Sequence, residues 1–334
     1  MATALRIGSL VVHTLKRPAI GLQQMKHLIG YLRILTAVAL CYTISALGDD
    51  TIEVREVASG IYMYQGPHEL MSITNLGSIG NSGFIIGERS VAVIDPGGGL
   101  EFGRRLRKSI EKVTNLPVEH LILTHFHPDH VAGAVAFREV TQIIAHENHA
   151  RAVTQRAQFY VDRFEDLLPD NVQQAFQLPN VSVPVGQPLE IDLGGRKLVI
   201  EAHTLAHTDN DITVHDLQTN TLWASDLLFA QRTPSLDGSL KGWLMVLSEL
   251  DERNYGLTIP GHGTPGPWSE LIAPQASYLN HLHDSVRTML HDGMALSDVL
   301  KNHDASDSQS SDWALFAVQH GSNLSKAYSE LEWE

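Results

Sequence analysis

Thr124-His125-Phe126-His127-Pro128-Asp129-His130 decides how this chain is read, and it follows directly on the apolar run Val118 to Leu123. The run reads as a buried strand whose end delivers three imidazoles and a carboxylate to a sheet edge. Residues two apart on an extended backbone face the same way, so His125 and His127 can grip one metal ion. Asp129 and His130, past the turn at Pro128, would then reach a second ion. The competing reading, four unrelated polar residues in a loop, is disfavoured because further ligand types follow downstream in order.

After the strand ending in Ala202 comes His203-Thr204-Leu205-Ala206-His207-Thr208-Asp209-Asn210-Asp211. After the strand Thr221 to Ser225 comes Asp226, and Pro260-Gly261-His262-Gly263-Thr264 closes another apolar run. Each group sits where a strand stops, so the side chains would gather at one rim of the sheets. One histidine on a strand is more often structural than a ligand, but the set together reads as a two-metal site. His203 and His207 are rivals, four apart and able to share one face of an extended strand. The position of His207 at the strand's end favours it.

The 334 residues, 43% hydrophobic and 19% charged, can bury a sizeable core and fall in the globular class. Five of the 24 basic residues and none of the 38 acidic ones lie in residues 1–46, so the remainder carries 19 basic against 38 acidic groups. A body near −19 repels polyphosphate backbones, which argues against a nuclease and against nucleic acid as a partner.

Residues 1–46 read as a leader. From Met25 the chain runs through Lys26 and Arg33 to an uncharged stretch, Ile34 to Ala46, then Gly48-Asp49-Asp50. This is the basic, apolar, small-residue order of a signal peptide, and a start at Met25 gives a leader of more ordinary length. The stretch is short for a transmembrane helix. The expectation is therefore export to the periplasm or beyond, cleavage near Ala46, and membrane association only through the leader. Cys41, the only cysteine, lies inside this leader, so a mature chain has neither disulfide nor thiol ligand. Leu40 is too bulky for a good lipoprotein box.

Residues 47–334 show no linker and no repeat. Strands are expected over Thr51 to Tyr64, Gly83 to Ile86 and Val91 to Ile94, with Gly97-Gly98-Gly99 as a turn and Glu101 to Val113 as a helix. A helix from about His149 to Leu168 carries Val153, Ala157, Tyr160, Phe164 and Leu167 at near-helical spacing, and residues 181–228 are strand-rich. A C-terminal helical section begins near Trp268 with Leu279, Leu282, Val286 and Met289 on one side, leaving His281, His283 and His291 at the surface. Leu227 to Leu244 reads as a polar loop supplying substrate contacts. Arg232 and Lys241 are candidate anchors for an acidic group, and Trp243 is a candidate pocket wall or core aromatic.

Over roughly residues 50–270 these motifs resemble the metallo-β-lactamase superfamily of metal-dependent hydrolases: Asp95, His125-Phe126-His127-Pro128-Asp129-His130, His207, Asp226 and His262. The resemblance implies an α/β (α+β) fold, a four-layer αββα sandwich with metals at the sheet rim. It implies His125, His127 and His207 on one zinc ion, Asp129, His130 and His262 on a second, Asp226 bridging, and Asp95 steadying the ligand loop. Asn81 to Gly87, His207 to Asp211 and Leu236 to Leu244 look like the exported branch called quinoprotein relay system zinc metallohydrolases, named for an association with quinoprotein dehydrogenase systems. That pattern also favours His207 over His203. True β-lactamases of the best-studied group are matched less well, since Asp226 and Phe229 stand where they place a cysteine and a drug-holding lysine. The bridging aspartate is closer to thioester and ester hydrolases of the glyoxalase II kind.

Imidazole and carboxylate without thiolate suit zinc, iron or manganese. Two ions about 3.5–4 Å apart lower the pKa of a shared water to about 7, so a bridging hydroxide could attack an ester, thioester, lactone or lactam-like carbonyl of a small-molecule substrate. Asp129 and Asp226 would be the catalytic carboxylates. The alternatives are an iron-dependent dioxygenase of the persulfide type, β-lactamase activity, and a non-catalytic binding protein that keeps the fold.

Overall fold

The computed structural model describes residues 50–302 and 313–333. The expectations for the leader, its start at Met25, its cleavage near Ala46 and Cys41 fall outside the described residues. Among the described residues no helix is long and apolar enough to cross a membrane.

Short runs of β-branched and aromatic residues become strands. The first seven, β1 (Arg55–Ala58), β2 (Ile61–Tyr64), β3 (Ser82–Ile86), β4 (Val91–Ile94), β5 (Val118–Leu123), β6 (Gln142–His146) and β7 (Val181–Val183), pair in that order in one sheet. The next five, β8 (Leu189–Asp192), β9 (Lys197–Ala202), β10 (Ile212–Asp216), β11 (Thr221–Phe229) and β12 (Leu257–His262), form a second sheet in the order β12-β11-β10-β9-β8. The strand expected over Thr51 to Tyr64 is in fact two. Gly60, at φ 68°, turns the chain back on itself, a conformation that costs glycine little.

Side-chain alternation sorts the apolar residues into three cores. Ala92, Ile94, Ile122 and Ile144 point inward and meet Ile200, Ile212, Val214 and Trp223 of the second sheet. Their neighbours Val91, Val93, Leu121 and Leu123 point outward. There they pack against Phe102, Leu106 and Ile110, spaced four apart along α1 (Leu100–Val113), and against α3 (His149–Arg163). Outside the second sheet, Leu222, Ala224 and Leu228 are covered by α5 (Leu240–Asp251), α6 (Trp268–His291) and α8 (Phe316–Leu331). Helix, sheet, sheet and helix thus give the expected αββα sandwich. The shorter helices are α2 (Pro128–Val131), α4 (Val172–Ala175) and α7 (Leu296–Asn302).

Two boundaries differ from expectation. Helix α3 stops at Arg163, and Phe164 and Leu167 reach the first core from the turns that follow. The polar loop expected from Leu227 to Leu244 is shorter at both ends. Strand β11 continues to Phe229, and Ser239 caps α5 by accepting from Gly242 N at 3.0 Å. On α6, His281 and His283 are half-buried and His291 is exposed.

Candidate metal centre

Strands β4, β5 and β6 run parallel, as do β11 and β12, so their C-terminal ends open on one rim. His125 to His130 leave β5 there, while Asp226 lies on β11 and His262 ends β12. His207 comes from the loop between β9 and β10, which is stitched to the first sheet by Ile212 N to Thr124 O, 2.8 Å, and Phe126 N to Asn210 Oδ1, 2.8 Å. Asp226 does not follow the strand, as the sequence suggested, but sits within it. A register shift beside Ser225, whose φ is 47°, turns its carboxylate to the rim.

The structure brings all seven expected ligands together in two groups, His125, His127, His207 and Asp226, and Asp129, His130 and His262, with the donor atoms of each group within 4.8 Å of one another. Asp226 faces both groups: Oδ2 lies 3.3 Å from His207 Nε2 and 3.5 Å from His262 Nε2, and Oδ1 lies 3.1 Å from His130 Nε2. Asp129 Oδ2 is 3.5 Å from both His130 Nε2 and His262 Nε2. His127 turns its Nδ1 inward, 3.0 Å from His125 Nε2 and 3.1 Å from His207 Nε2, while the other rings offer Nε2.

The outward ring nitrogens have partners. His207 Nδ1 meets Ser235 O at 2.6 Å, His262 Nδ1 meets Ile79 O at 2.9 Å, and His130 Nδ1 meets Asp95 Oδ2 at 2.9 Å. His127 Nε2 lies 3.2 Å from Asp237 Oδ2, and His125 Nδ1 lies 3.1 Å from Thr124 Oγ1. Acceptors on the outer side fix the proton there and leave the inner lone pair bare, which is how metal-binding imidazoles are oriented.

Asp95 is the hub of this outer layer. It accepts from Thr124 N at 2.8 Å, Thr124 Oγ1 at 2.7 Å and Ser225 Oγ at 3.0 Å, tying the ends of β5 and β11 together. It does so at φ 47°, where aspartate is tolerated better than most residues. Asn81 ties in β12, donating to Pro260 O at 2.7 Å and Gly263 O at 2.9 Å. Glycine is needed beside the cluster: a Cβ on Gly80 would stand 2.7 Å from the His130 ring, and one on Gly261 would collide with Asp226 Oδ1.

Burial and mutual charge set the protonation. Burial, with His130 nearby, holds His125 well below its ordinary range; burial brings His207 down to about 4 and lowers His262. Burial also opposes charge on His130, but the Asp226 and Asp129 carboxylates overcome it and lift that ring well above its ordinary value. Asp226 responds in the opposite sense, pushed up by burial but held well below the usual carboxylate range by His130, His262 and His125. The three rings held neutral, His125, His207 and His262, set around buried carboxylates suit a divalent ion. His130 Nε2 and Asp226 Oδ1, buried and 3.1 Å apart, find no well-aligned hydrogen-bond partner among the described residues, as atoms meant for a cation would.

The three expected substrate contacts divide. Arg232 lines the cavity over the cluster, about 100 Å³, beside Asp129, Asp226 and His262. Its guanidinium donates to Glu69 O at 3.2 Å and forms no ion pair among the described residues. Lys241 is misplaced by the sequence reading. It sits exposed in the first turn of α5, outside the residues that line this cavity. Trp243 is a core residue, fully buried, donating to Leu227 O at 2.9 Å and packing its ring 5.2 Å from that of His207. It backs the ligand and is not a pocket wall. His203 points away from the cluster to Thr213 Oγ1, 2.9 Å off.

Sequence reasoning gave no role to Asp237, Arg156, Ser235 or Asn323. Arg156 of α3 grips Asp237 with both guanidinium nitrogens, one bond at 2.7 Å, and together with His127 holds that carboxylate well below its usual range against the upward push of burial. Asn323 and Gln319 of α8 hold the loop that carries Ser235 and Asp237. These pairings span 81 to 89 residues and leave no local signal.

Comparison with known proteins agrees with the geometry. The family model of the metallo-beta-lactamase superfamily matches residues 76–262. A search of curated proteins found no match. Among solved structures, a metallo-beta-lactamase from Pontibacter korlensis is similar at 22% identity and a TM-score of 0.52, over 68% of this chain and 98% of its own. The stereoselective inverting sec-alkylsulfatase Pisa1 from Pseudomonas sp. is similar at 16% identity and a TM-score of 0.62, over 83% of this chain, which spans 50% of the sulfatase. At these identities the two likenesses speak for the fold alone. With more than half its length matched by the family model and two His/Asp groups able to hold metal at the sheet rim, the chain belongs to the metallo-beta-lactamase superfamily.

Proposed function

We propose that this chain is an exported hydrolase using two divalent ions, zinc in the first instance, to cleave an ester, thioester, lactone or lactam-like bond of a small molecule. The observation that carries the reading is the division of seven buried side chains into two adjoining groups with Asp226 facing both. His125, His127 and His207 would hold the first ion, Asp129, His130 and His262 the second, with Asp226 shared. When bound, such a pair supplies a water acidic enough to attack at neutral pH and positive charge to steady the oxyanion. Asp129 and Asp226, which would help hold the ions, would also orient that water. Arg232 receives an anionic part of the substrate, being a half-buried cation with no ion-pair partner among the described residues. The completeness of the second group favours this reading over a mononuclear iron dioxygenase.

The basic and apolar order before Ala46 supports a periplasmic or secreted location, and the stretches Asn81 to Gly87 and Leu236 to Leu244 support a link to quinoprotein dehydrogenase systems. Phe229, where β-lactamases of the best-studied group hold a lysine, disfavours β-lactams as the main substrate. Metal analysis of the purified protein with a panel of esters, thioesters, lactones and β-lactams tests the proposal. Two ions per chain and hydrolysis of a carbonyl substrate are expected. Stable binding of one iron with oxygen consumption would overturn it.

A further inference from the structure

The cavity over the cluster, about 100 Å³, is smaller than the several hundred Å³ of an ordinary ligand site. It does not end there. Leu70 and Ile79 are walls both of this cavity and of a groove of about 670 Å³ between residues 70–79 and the turns after α3. Met71, Ile73, Phe164 and Leu167 line that groove. Its lip is apolar and exposed, with Leu70 at 57% and Ile73 at 61% of full accessibility. Scattered apolar side chains need no explanation, but two at the mouth of a groove leading to a metal centre do.

The lining also discriminates. Phe164, its one aromatic, already lies under the Arg163 guanidinium, 5.4 Å from the ring centre, so the surface left to a ligand is mostly Leu, Ile and Met. Arg163, Glu165 and Asp166 bring both signs of charge to the groove and give no preference for a charged end. Arg232, beside Asp129 and His262, stands without an ion-pair partner among the described residues.

We propose that the substrate is an anionic amphiphile: an aliphatic chain lies in the groove between Ile73 and Leu167, the scissile group over the metal cluster, and the negative group against Arg232. This rests on the cluster being where the bond is cleaved. A second apolar groove, of about 510 Å³, at Val153, Val172 and Leu178 shares no wall with the metal cavity and serves as the control surface.

Butyrate and decanoate, titrated calorimetrically into the full chain both zinc-loaded and metal-free, test the site without requiring turnover. Decanoate should bind at least tenfold more tightly, since each methylene that the groove buries contributes about fourfold. Ile73→Asp should shrink the gap below threefold and Leu178→Asp should keep it, with unchanged metal content and melting temperature showing that both variants are folded. Arg232→Gln should weaken both acids alike. Equal affinities in the unaltered chain, or a gap that survives Ile73→Asp, would overturn the proposal. So would sedimentation showing self-association that Ile73→Asp abolishes, for the lip would then be a contact between copies. Decanoate preference without hydrolysis of any ester would refute the reaction proposed above while leaving the groove's ligand class standing.

Discussion

Asn323 donates its side-chain amide to the carbonyl of Pro234 at 2.7 Å, and its own carbonyl accepts from Leu236 N at 3.0 Å. Between those two residues stands Ser235, whose carbonyl holds His207 Nδ1. A fully buried amide on the last helix therefore fixes the height and tilt of an imidazole 116 positions earlier in the chain, as the difference between residues 323 and 207 counts it.

Asn323→Ala should lower affinity for the ion of the first group by about 10–100-fold, the usual cost of losing an outer partner of a metal ligand. Competition with a chromophoric chelator measures it. Unchanged affinity with a lowered melting temperature would mean that the amide serves stability alone.

His207→Ala should lose the ion of the first group and nearly all turnover. His203→Ala should retain two ions, because its ring is engaged by Thr213, and should destabilise the fold by about 1–3 kcal/mol through the buried partner left unpaired. Metal content and turnover of the two purified variants decide the matter, and the reverse pattern would move the ligand to His203.

Arg156→Ala should leave Asp237 able to turn away from His127 and lower first-site metal affinity, with little change at the second site. Arg156→Lys should recover only part of the loss, since one ammonium cannot reproduce a two-nitrogen grip. Stepwise loading with cobalt, followed by its visible absorption, separates the two sites.

Acid should destabilise the fold through histidines outside the cluster. Burial lowers His203 to about 4 and His149 to about 3, against an ordinary value near 6.5. The unfolded chain therefore takes up these protons first. Stability is complete above about pH 6.5 and falls as pH drops from there toward 4, at roughly 1.4 kcal/mol per unit for each ring. Both nitrogens of His149 are buried without a hydrogen-bond partner among the described residues, so His149→Leu should flatten the slope between pH 6.5 and 5. Urea midpoints across that range, for both proteins, provide the check.

What the sequence discloses is what the chain does locally. Val118 to Leu123 announces its strand by composition, and His125 to His130 lie within six residues, so a cluster at a strand end could be anticipated, while the sandwich was implied by the family resemblance of these motifs. The misplacement of Lys241 had a correctable cause. Ser239 as a cap, with Leu240, Trp243, Val246, Leu247 and Leu250 at helical spacing behind it, marks a helix start that a loop reading overlooks. The grips of Arg156 on Asp237 and of Asn323 on Pro234 had no such signal, because each joins elements whose meeting is decided by the packing of whole layers.

The attachment of α8 also sets how small a working version of this protein can be. All seven candidate metal ligands lie at or before His262, where the family match ends. Yet Glu330 accepts from Ser239 Oγ at 2.6 Å and Leu240 N at 2.7 Å, and Asn323 and Gln319 hold the segment between His207 and α5. A fragment cut after the last ligand would carry every donor atom and lack the scaffolding that aims two of them. Transplanting the motif onto another scaffold would meet the same obstacle unless the terminal helix travelled with it.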